Sequence, residues 1–261
     1  MNFAALVEYD GSAFSGFQRQ APGTVRTVQG EIESGLTAIA GEVVKIEAAG
    51  RTDTGVHASG QVIQFRVESR LGADDWRRAL NAMLPGDVSV RAVRVVDESF
   101  RARWSASARS YRYRIVCDAV RSPLRERLAW RVPGFLDVDA MRLAAATLLG
   151  EHDFAAFGSS PRDQRNLASR AHTVRTVTQS RCAWSAEWPD EVECDFTANG
   201  FLTGMVRRIV GTLALVGEGR LTVEQFRAIL AARDKAHIGA SAPARGLCLT
   251  GVTYPPGLVE W

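Results

Sequence analysis

A chain of 261 residues can bury one large core or two ordinary ones, so it needs no covalent staples to fold. Cys117, Cys182, Cys194 and Cys248 are far apart with no CxxC pair, which argues against a disulfide framework or a zinc site and predicts reduced core cysteines. The net charge is only +3, and no apolar run approaches the roughly 18 residues of a membrane-spanning helix; with no basic leader at the start, the expectation is a soluble, cytoplasmic protein.

Phe3 to Tyr9 reads as a strand, and Thr27 to Ala40 as a helix, with Val28, Ile32, Leu36 and Ile39 on one face and Gly41 as the stop. Strand patterns follow at Val43 to Ala49 and Gln61 to Val67. A helix from Asp74 to Leu84 ends at Pro85 and Gly86, and a strand runs from Val88 to Val96. The order is βαββαβ. The second half repeats it with longer connections: strand Tyr111 to Cys117, helix Val138 to Leu149, strands at Thr173 to Ala183 and Val192 to Ala198, helices Leu202 to Val216 and Val223 to Ala232, and strand Leu247 to Tyr254. Two tandem ferredoxin-like units are predicted, divided in the polar run RWSASARS into residues 1–105 and 106–261. Ser159 to Arg170 reads as a mobile basic loop.

Cation content is the next signal. Lys45 and Lys235 are the only lysines, so 30 of the 32 basic residues are arginine, a side chain that binds phosphate bidentately and stacks on bases. Nine arginines (101, 103, 109, 112, 114, 121, 125, 127 and 131) fall between Ser99 and Pro133 against Asp118 and Glu126, a local net of +7 that suits a polyanion.

One loop concentrates chemistry. In GRTDTGVHA (50–58), Asp53 lies between Gly50 and Gly55, with Arg51, Thr52, Thr54 and His57 close by. Glycines let the backbone turn and leave room for a substrate, and an ionised carboxylate beside a guanidinium can act as a covalent nucleophile. The DTG triplet of aspartic proteases works through two carboxylates, and this chain has one such triplet. Arg207 and Arg208 project from a helix whose Leu202, Met205, Ile209, Leu213 and Val216 form a core stripe, and one of them can orient Asp53. Tyr111 opens the strand YRYRIVC beside the arginines, where a ring can stack on a base. The four histidines are scattered, so no metal is expected. GxGxxG, GxxxxGK and HExxH are lacking, and no cofactor is expected.

Six ordered blocks, EYDGSAFSGFQRQ, GRTDTGVHASGQV, NAMLPGDVSV, FRARWSASARSYRYRI, LLGEHDFAAF and ANGFLTGMVRRIVGTL, resemble the tRNA pseudouridine synthase A family nearly end to end. The resemblance implies an α+β pseudouridine synthase fold, with two tandem ferredoxin-like (βαββαβ-type) units forming one mainly antiparallel sheet and a basic cleft between them. It implies isomerisation of uridine to pseudouridine at positions 38, 39 and 40 of the tRNA anticodon arm, by a homodimer without metal or small-molecule cofactor. By this resemblance Asp53 matches the catalytic aspartate, Tyr111 the tyrosine that stacks on the target base, and Arg207 the arginine that pairs with the aspartate. Arg51 matches an arginine that displaces the base and Leu247 a residue lining the uracil pocket; Arg19, His57 and Arg208 are further expected substrate contacts. Thr203, Gly204 and Arg208 stand where the family usually has two histidines and an asparagine, and Thr54 where alanine is common. A non-catalytic tRNA-binding or RNA-folding protein on the same fold is the alternative, and the Asp53 loop is what such a binder has no reason to build.

Overall fold

A computed structural model describes residues 1–20, 25–158, 173–233 and 235–261, in two units: residues 1–109 with 248–261, and residues 110–247. The basic loop expected at Ser159 to Arg170 lies outside the described residues.

In the first unit, β1 (Asn2–Tyr9) pairs antiparallel with both β3 (His57–Arg66) and β4 (Val88–Val95), and β2 (Ile46–Ala48) pairs antiparallel with β3. The order β4-β1-β3-β2 is that of a split βαβ unit, with α1 (Val28–Ala40) and α2 (Ala73–Met83) as its two crossovers. Thr27 caps α1 by accepting the Gly30 amide, and Gly41 ends it in the left-handed region. α2 buries Trp76, whose ring stands edge-on to Phe65 at 5.4 Å, while Phe3 stacks on Phe65 at 5.2 Å. Each such ring contributes roughly 1.5–3 kcal/mol by burial.

β1 is buried on its other face too. Ala4 and Leu6 pack with Val62, Phe100, Ala102 and Tyr254 in a second core closed by the chain's last residues. This follows from β10 (Leu247–Thr253), which pairs parallel with β3 through Cys248 opposite His57 and Leu249 opposite Ala58. β3 thus carries β2 at one end of its free edge and β10 at the other.

A buried carboxylate anchors α1. Glu33, 2% exposed, accepts from Gln29 Nε2 (2.9 Å) and the Ile46 amide (3.3 Å), with Arg19 and Lys45 at 3.2 and 3.3 Å. Burial alone would push Glu33 up, but these hydrogen bonds and the two cations hold it below the usual carboxylate range. A depressed carboxylate stabilises the fold above its ordinary value, and that contribution disappears as pH falls through its folded value. Glu33→Gln would aim an amide donor at two cations, so it is expected to cost about 1–3 kcal/mol at neutral pH. Urea midpoints across a pH series check this: wild type and variant should converge in acid.

In the second unit, β5 (Ala108–Cys117), β9 (Glu191–Ala198), β8 (Val174–Trp184) and β7 (Gly150–Asp153) lie in that order, with β6 (Trp130–Val132) parallel on β5. α3 (Val138–Ala146) is capped by Asp137, and α5 (Val223–Ala232) by a reciprocal Thr222–Gln225 box. α4 (Met205–Gly217) is buried along most of its length. It begins three residues later than its apolar stripe predicts, because Gly204 has φ +70°, outside helical space.

Four reduced cysteines, the expectation from spacing, is corrected by the β8–β9 register. Cys182 stands directly opposite Cys194, their Cα atoms 4.2 Å apart, and the two fully buried residues are joined by a disulfide. Twelve residues of separation are a hairpin's span here, which spacing alone does not reveal. Cys117 and Cys248 stand outside the disulfide and are half-buried rather than core, and burial pushes the Cys117 thiol up to about 11. Among the described residues no helix is long and apolar enough to cross a membrane, and no three His, Cys, Asp or Glu side chains are grouped to hold a metal.

Candidate active site

The loop from β2 to β3 presents Asp53 half-buried between the buried Thr52 and the exposed Thr54. Its backbone is tied on both sides of the aspartate. Gln61, fully buried on β3, donates to the Gly50 carbonyl at 3.0 Å, and the Tyr9 hydroxyl meets Thr52 Oγ1 at 2.8 Å in a buried hydrogen bond. The Phe17 amide donates to the Thr52 carbonyl at 3.0 Å and the Val56 amide to the Asp53 carbonyl at 3.1 Å. Residues 10–17 therefore act as a strap across the loop.

The strap starts at the end of β1, where a short 3₁₀ turn (Gly11–Ala13) is capped by Asp10. Gly11 touches the loop so closely that a Cβ there would lie 2.0 Å from the Val56 carbonyl oxygen. Its amide donates to Nδ1 of the buried His57 at 3.1 Å, which makes the neutral ring the Nε2–H tautomer. Asp10 Oδ1 lies 3.1 Å from the same nitrogen, so a proton there would exchange the Gly11 bond for an ion pair. Arg26 fastens the strap from outside, with its guanidinium 4.2 Å over the Phe14 ring, bidentate on Asp87 at 2.7 and 2.9 Å, and on Glu31 at 2.7 Å. Sequence reasoning missed Tyr9, Gly11 and Gln61. The available signal was YDGSAFSG, a polar, glycine-punctuated run where strand β1 stops.

The first unit thus gathers Asp53 and Arg51 in the loop and His57 at the start of β3, with Arg51 exposed. Arg19, in the segment before α1, bonds to that helix instead, its amide on Gln29 Oε1 at 3.0 Å and its half-exposed guanidinium on Glu33 at 3.2 Å.

In the second unit, Tyr111 is half-buried on β5 with its ring edge-on to Phe201 at 5.1 Å. Two residues on, Tyr113 is core: burial pushes its phenol up against the opposing influence of Arg207 and Arg245, and it donates to the Pro243 carbonyl at 2.7 Å. Arg207 Nε donates to the neighbouring Ala242 carbonyl at 2.7 Å. These two bonds fix the segment that leads into the buried Leu247. Arg208 turns back over the start of α4 and caps the carbonyls of Phe157 and Thr203, both at 3.1 Å.

The arginine-rich strip divides by partner. Arg112 meets Asp195 at 2.7 Å and Glu193 at 3.0 Å, Arg114 meets Glu191 at 3.4 Å, Arg125 pairs with Asp190, and Arg131 meets Glu126 at 3.5 Å. Carboxylates on and before β9 thus offset much of the charge that the local sequence promises, and burial pushes Glu191 above the usual carboxylate range. Arg101 differs, since its guanidinium donates to the carbonyls of Glu98 (2.7 Å) and Phe100 (2.8 Å), which satisfy donors without cancelling charge.

A split βαβ unit presenting a braced aspartate loop, and a second unit carrying an aromatic strand and an arginine helix, place the chain in the α+β class. The chain belongs to the tRNA pseudouridine synthase family, whose model matches residues 5–105 and 144–255. The matched segments contain Asp53, Arg207 and Leu247, and Tyr111 lies between them. The chain is 45% identical over 260 residues to the tRNA pseudouridine synthase A of Chloroflexus aurantiacus, covering 99% of this chain and 90% of that protein. It is 44% identical over 249 residues to the namesake of Brevibacillus brevis, covering 95% and 98%. With that of Citrifermentans bemidjiense it shares 40% identity over 254 residues, covering 97% of each.

Proposed function

We propose that this chain isomerises uridine to pseudouridine in tRNA, at positions 38, 39 and 40 of the anticodon arm, with Asp53 as the nucleophile. In the reaction the N1–C1′ bond breaks, the held uracil turns, C5 bonds to C1′, and the proton lost from C5 is balanced by one gained at N1. No group leaves the enzyme, so neither redox equivalents nor a phosphate donor is needed. Asp53 attacks C1′, takes a sugar proton to give a glycal, or adds to C6 of the uracil; each route uses the ionised carboxylate.

The observation that carries this reading is the Asp53 loop itself. Its backbone is held by Phe17 and Gln61 and its Thr52 side chain by Tyr9, while Asp53 stays partly accessible. Such preorganisation is what a reacting group requires and a plain turn does not. In this reading Tyr111 stacks on the flipped base, Arg207 pairs with Asp53, Leu247 lines the uracil pocket and Arg51 occupies the place the base vacates. His57, Arg19 and Arg208 contact substrate or shape its site. Unstacking the base costs a few kcal/mol, which stacking and phosphate contacts offset. The active species is a cytoplasmic homodimer.

The test is conversion by the purified protein alone. An anticodon-arm transcript with uridines at positions 38–40, incubated without metal or cofactor, should yield pseudouridine in place of those uridines with no free uracil released. Tight binding of the transcript with no conversion would instead identify a non-catalytic RNA-binding protein.

A further inference from the structure

The first unit displays an aromatic side chain with no apparent work inside the fold. Trp104 is 70% exposed, and the guanidinium of Arg103 lies 4.8 Å over its ring. The turn that carries it is anchored. Ala102 is fully buried, its amide donates to Gln64 Oε1 at 3.0 Å, and its carbonyl accepts from the Tyr254 hydroxyl at 2.7 Å. The Arg101 carbonyl accepts from the Ser105 amide at 2.9 Å, and Ser105 Oγ accepts in return from the Arg101 amide at 3.1 Å. An indole held in water on so fixed a pedestal forgoes the roughly 1.5–3 kcal/mol that burial would return.

Its surroundings indicate what it meets. Arg101 and Arg103 place their guanidinium groups over carbonyls and a ring, in contrast to Arg112, Arg114 and Arg125, which are paired with carboxylates. The turn also borders the Asp53 loop. Arg109 Nη2 donates to the Arg103 carbonyl at 2.6 Å and to the Ala49 carbonyl at 2.9 Å, and Ala49 immediately precedes Gly50.

We propose that Trp104, Arg103 and Arg101 form a nucleotide platform beside the Asp53 loop. The indole stacks on an unpaired base flanking the target uridine, and the two guanidinium groups take adjacent phosphates. This rests on reading the chain as a tRNA-modifying enzyme. It moves the electrostatic footprint from the strip as a whole to residues 101–104.

Equilibrium binding and single-turnover rates on an anticodon-arm transcript test it. Trp104→Ala should weaken binding about tenfold with the saturating rate changed by less than about twofold, and Trp104→Phe should keep most of the affinity. Arg103→Gln should flatten the slope of log K against log salt by roughly 0.7–0.9, and Arg112→Gln should leave that slope unchanged. Wild-type affinity in Trp104→Ala overturns the platform. So does a Trp104→Ala protein that dissociates in sedimentation while each subunit binds the transcript normally, since Trp104 then serves a second copy of the chain. Asp53→Asn run alongside separates the two readings: product formation by that variant refutes the proposed nucleophile, whereas the platform stands or falls on the Trp104 binding data.

Discussion

Asp53→Asn is expected to lower pseudouridine formation by a factor on the order of 10⁴ to 10⁶, the range seen when a covalent nucleophile is removed, while transcript affinity stays near wild type. The change replaces one carboxylate oxygen with an amide of nearly the same size. It leaves in place the ties that run through the Gly50, Thr52 and Asp53 carbonyls and the Thr52 hydroxyl. Thermal unfolding should therefore shift by no more than a few degrees, which separates lost chemistry from lost fold. Single-turnover conversion with excess protein, with a binding titration on the same preparation, reads both quantities. Residual activity within tenfold of wild type would show that Asp53 is not the nucleophile.

Local patterns were legible and long-range ones were not. The helical stripe of Val28, Ile32 and Leu36 and the stop at Gly41 predicted α1 to within a residue, because capping and periodicity are properties of neighbouring residues. Asp53 could be singled out because glycine, arginine, threonine and histidine crowd around it in nine residues of sequence. The features that hold it could not. Tyr9 reads as one more apolar strand residue until the β1–β3 pairing brings it to Thr52, and Gln61 reads as polar where the fold buries it completely. β10 was visible as a strand, but its parallel pairing with β3 joins residues about 190 positions apart and leaves no local trace. Charge misled for the same reason. The arginines of β5 look unopposed within their own segment, yet Glu191, Glu193 and Asp195 arrive from some 80 residues downstream to meet them. Cys182 and Cys194 show it a third time, since only strand register turns a spacing of twelve into a contact.

Gly11→Ala should impair catalysis more than stability, although it adds one methyl group 42 residues away in sequence from Asp53. That methyl would lie 2.0 Å from the Val56 oxygen and 2.5 Å from its carbonyl carbon. Both belong to backbone, so no side chain can rotate to make room. Either the strap lifts or the loop shifts, and both movements break the Gly11 amide bond to His57 Nδ1. Overpacking of this kind costs about 1–3 kcal/mol, which a two-core unit tolerates without unfolding. Catalysis depends more steeply on position, because misplacing a reacting group by about 1 Å can cost on the order of 10²-fold. The expected signature is a fall in the saturating single-turnover rate of about that size, with transcript affinity changed by less than about threefold. Gly41→Ala provides the contrast. It strains a left-handed helix terminus with φ +73°, lies in open space away from the loop, and should lower the urea midpoint while leaving the rate unaltered. If Gly11→Ala were destabilised to the same degree yet turned over at the wild-type rate, the strap would be a fold element only, and the placing of Asp53 would have to come from elsewhere in the chain.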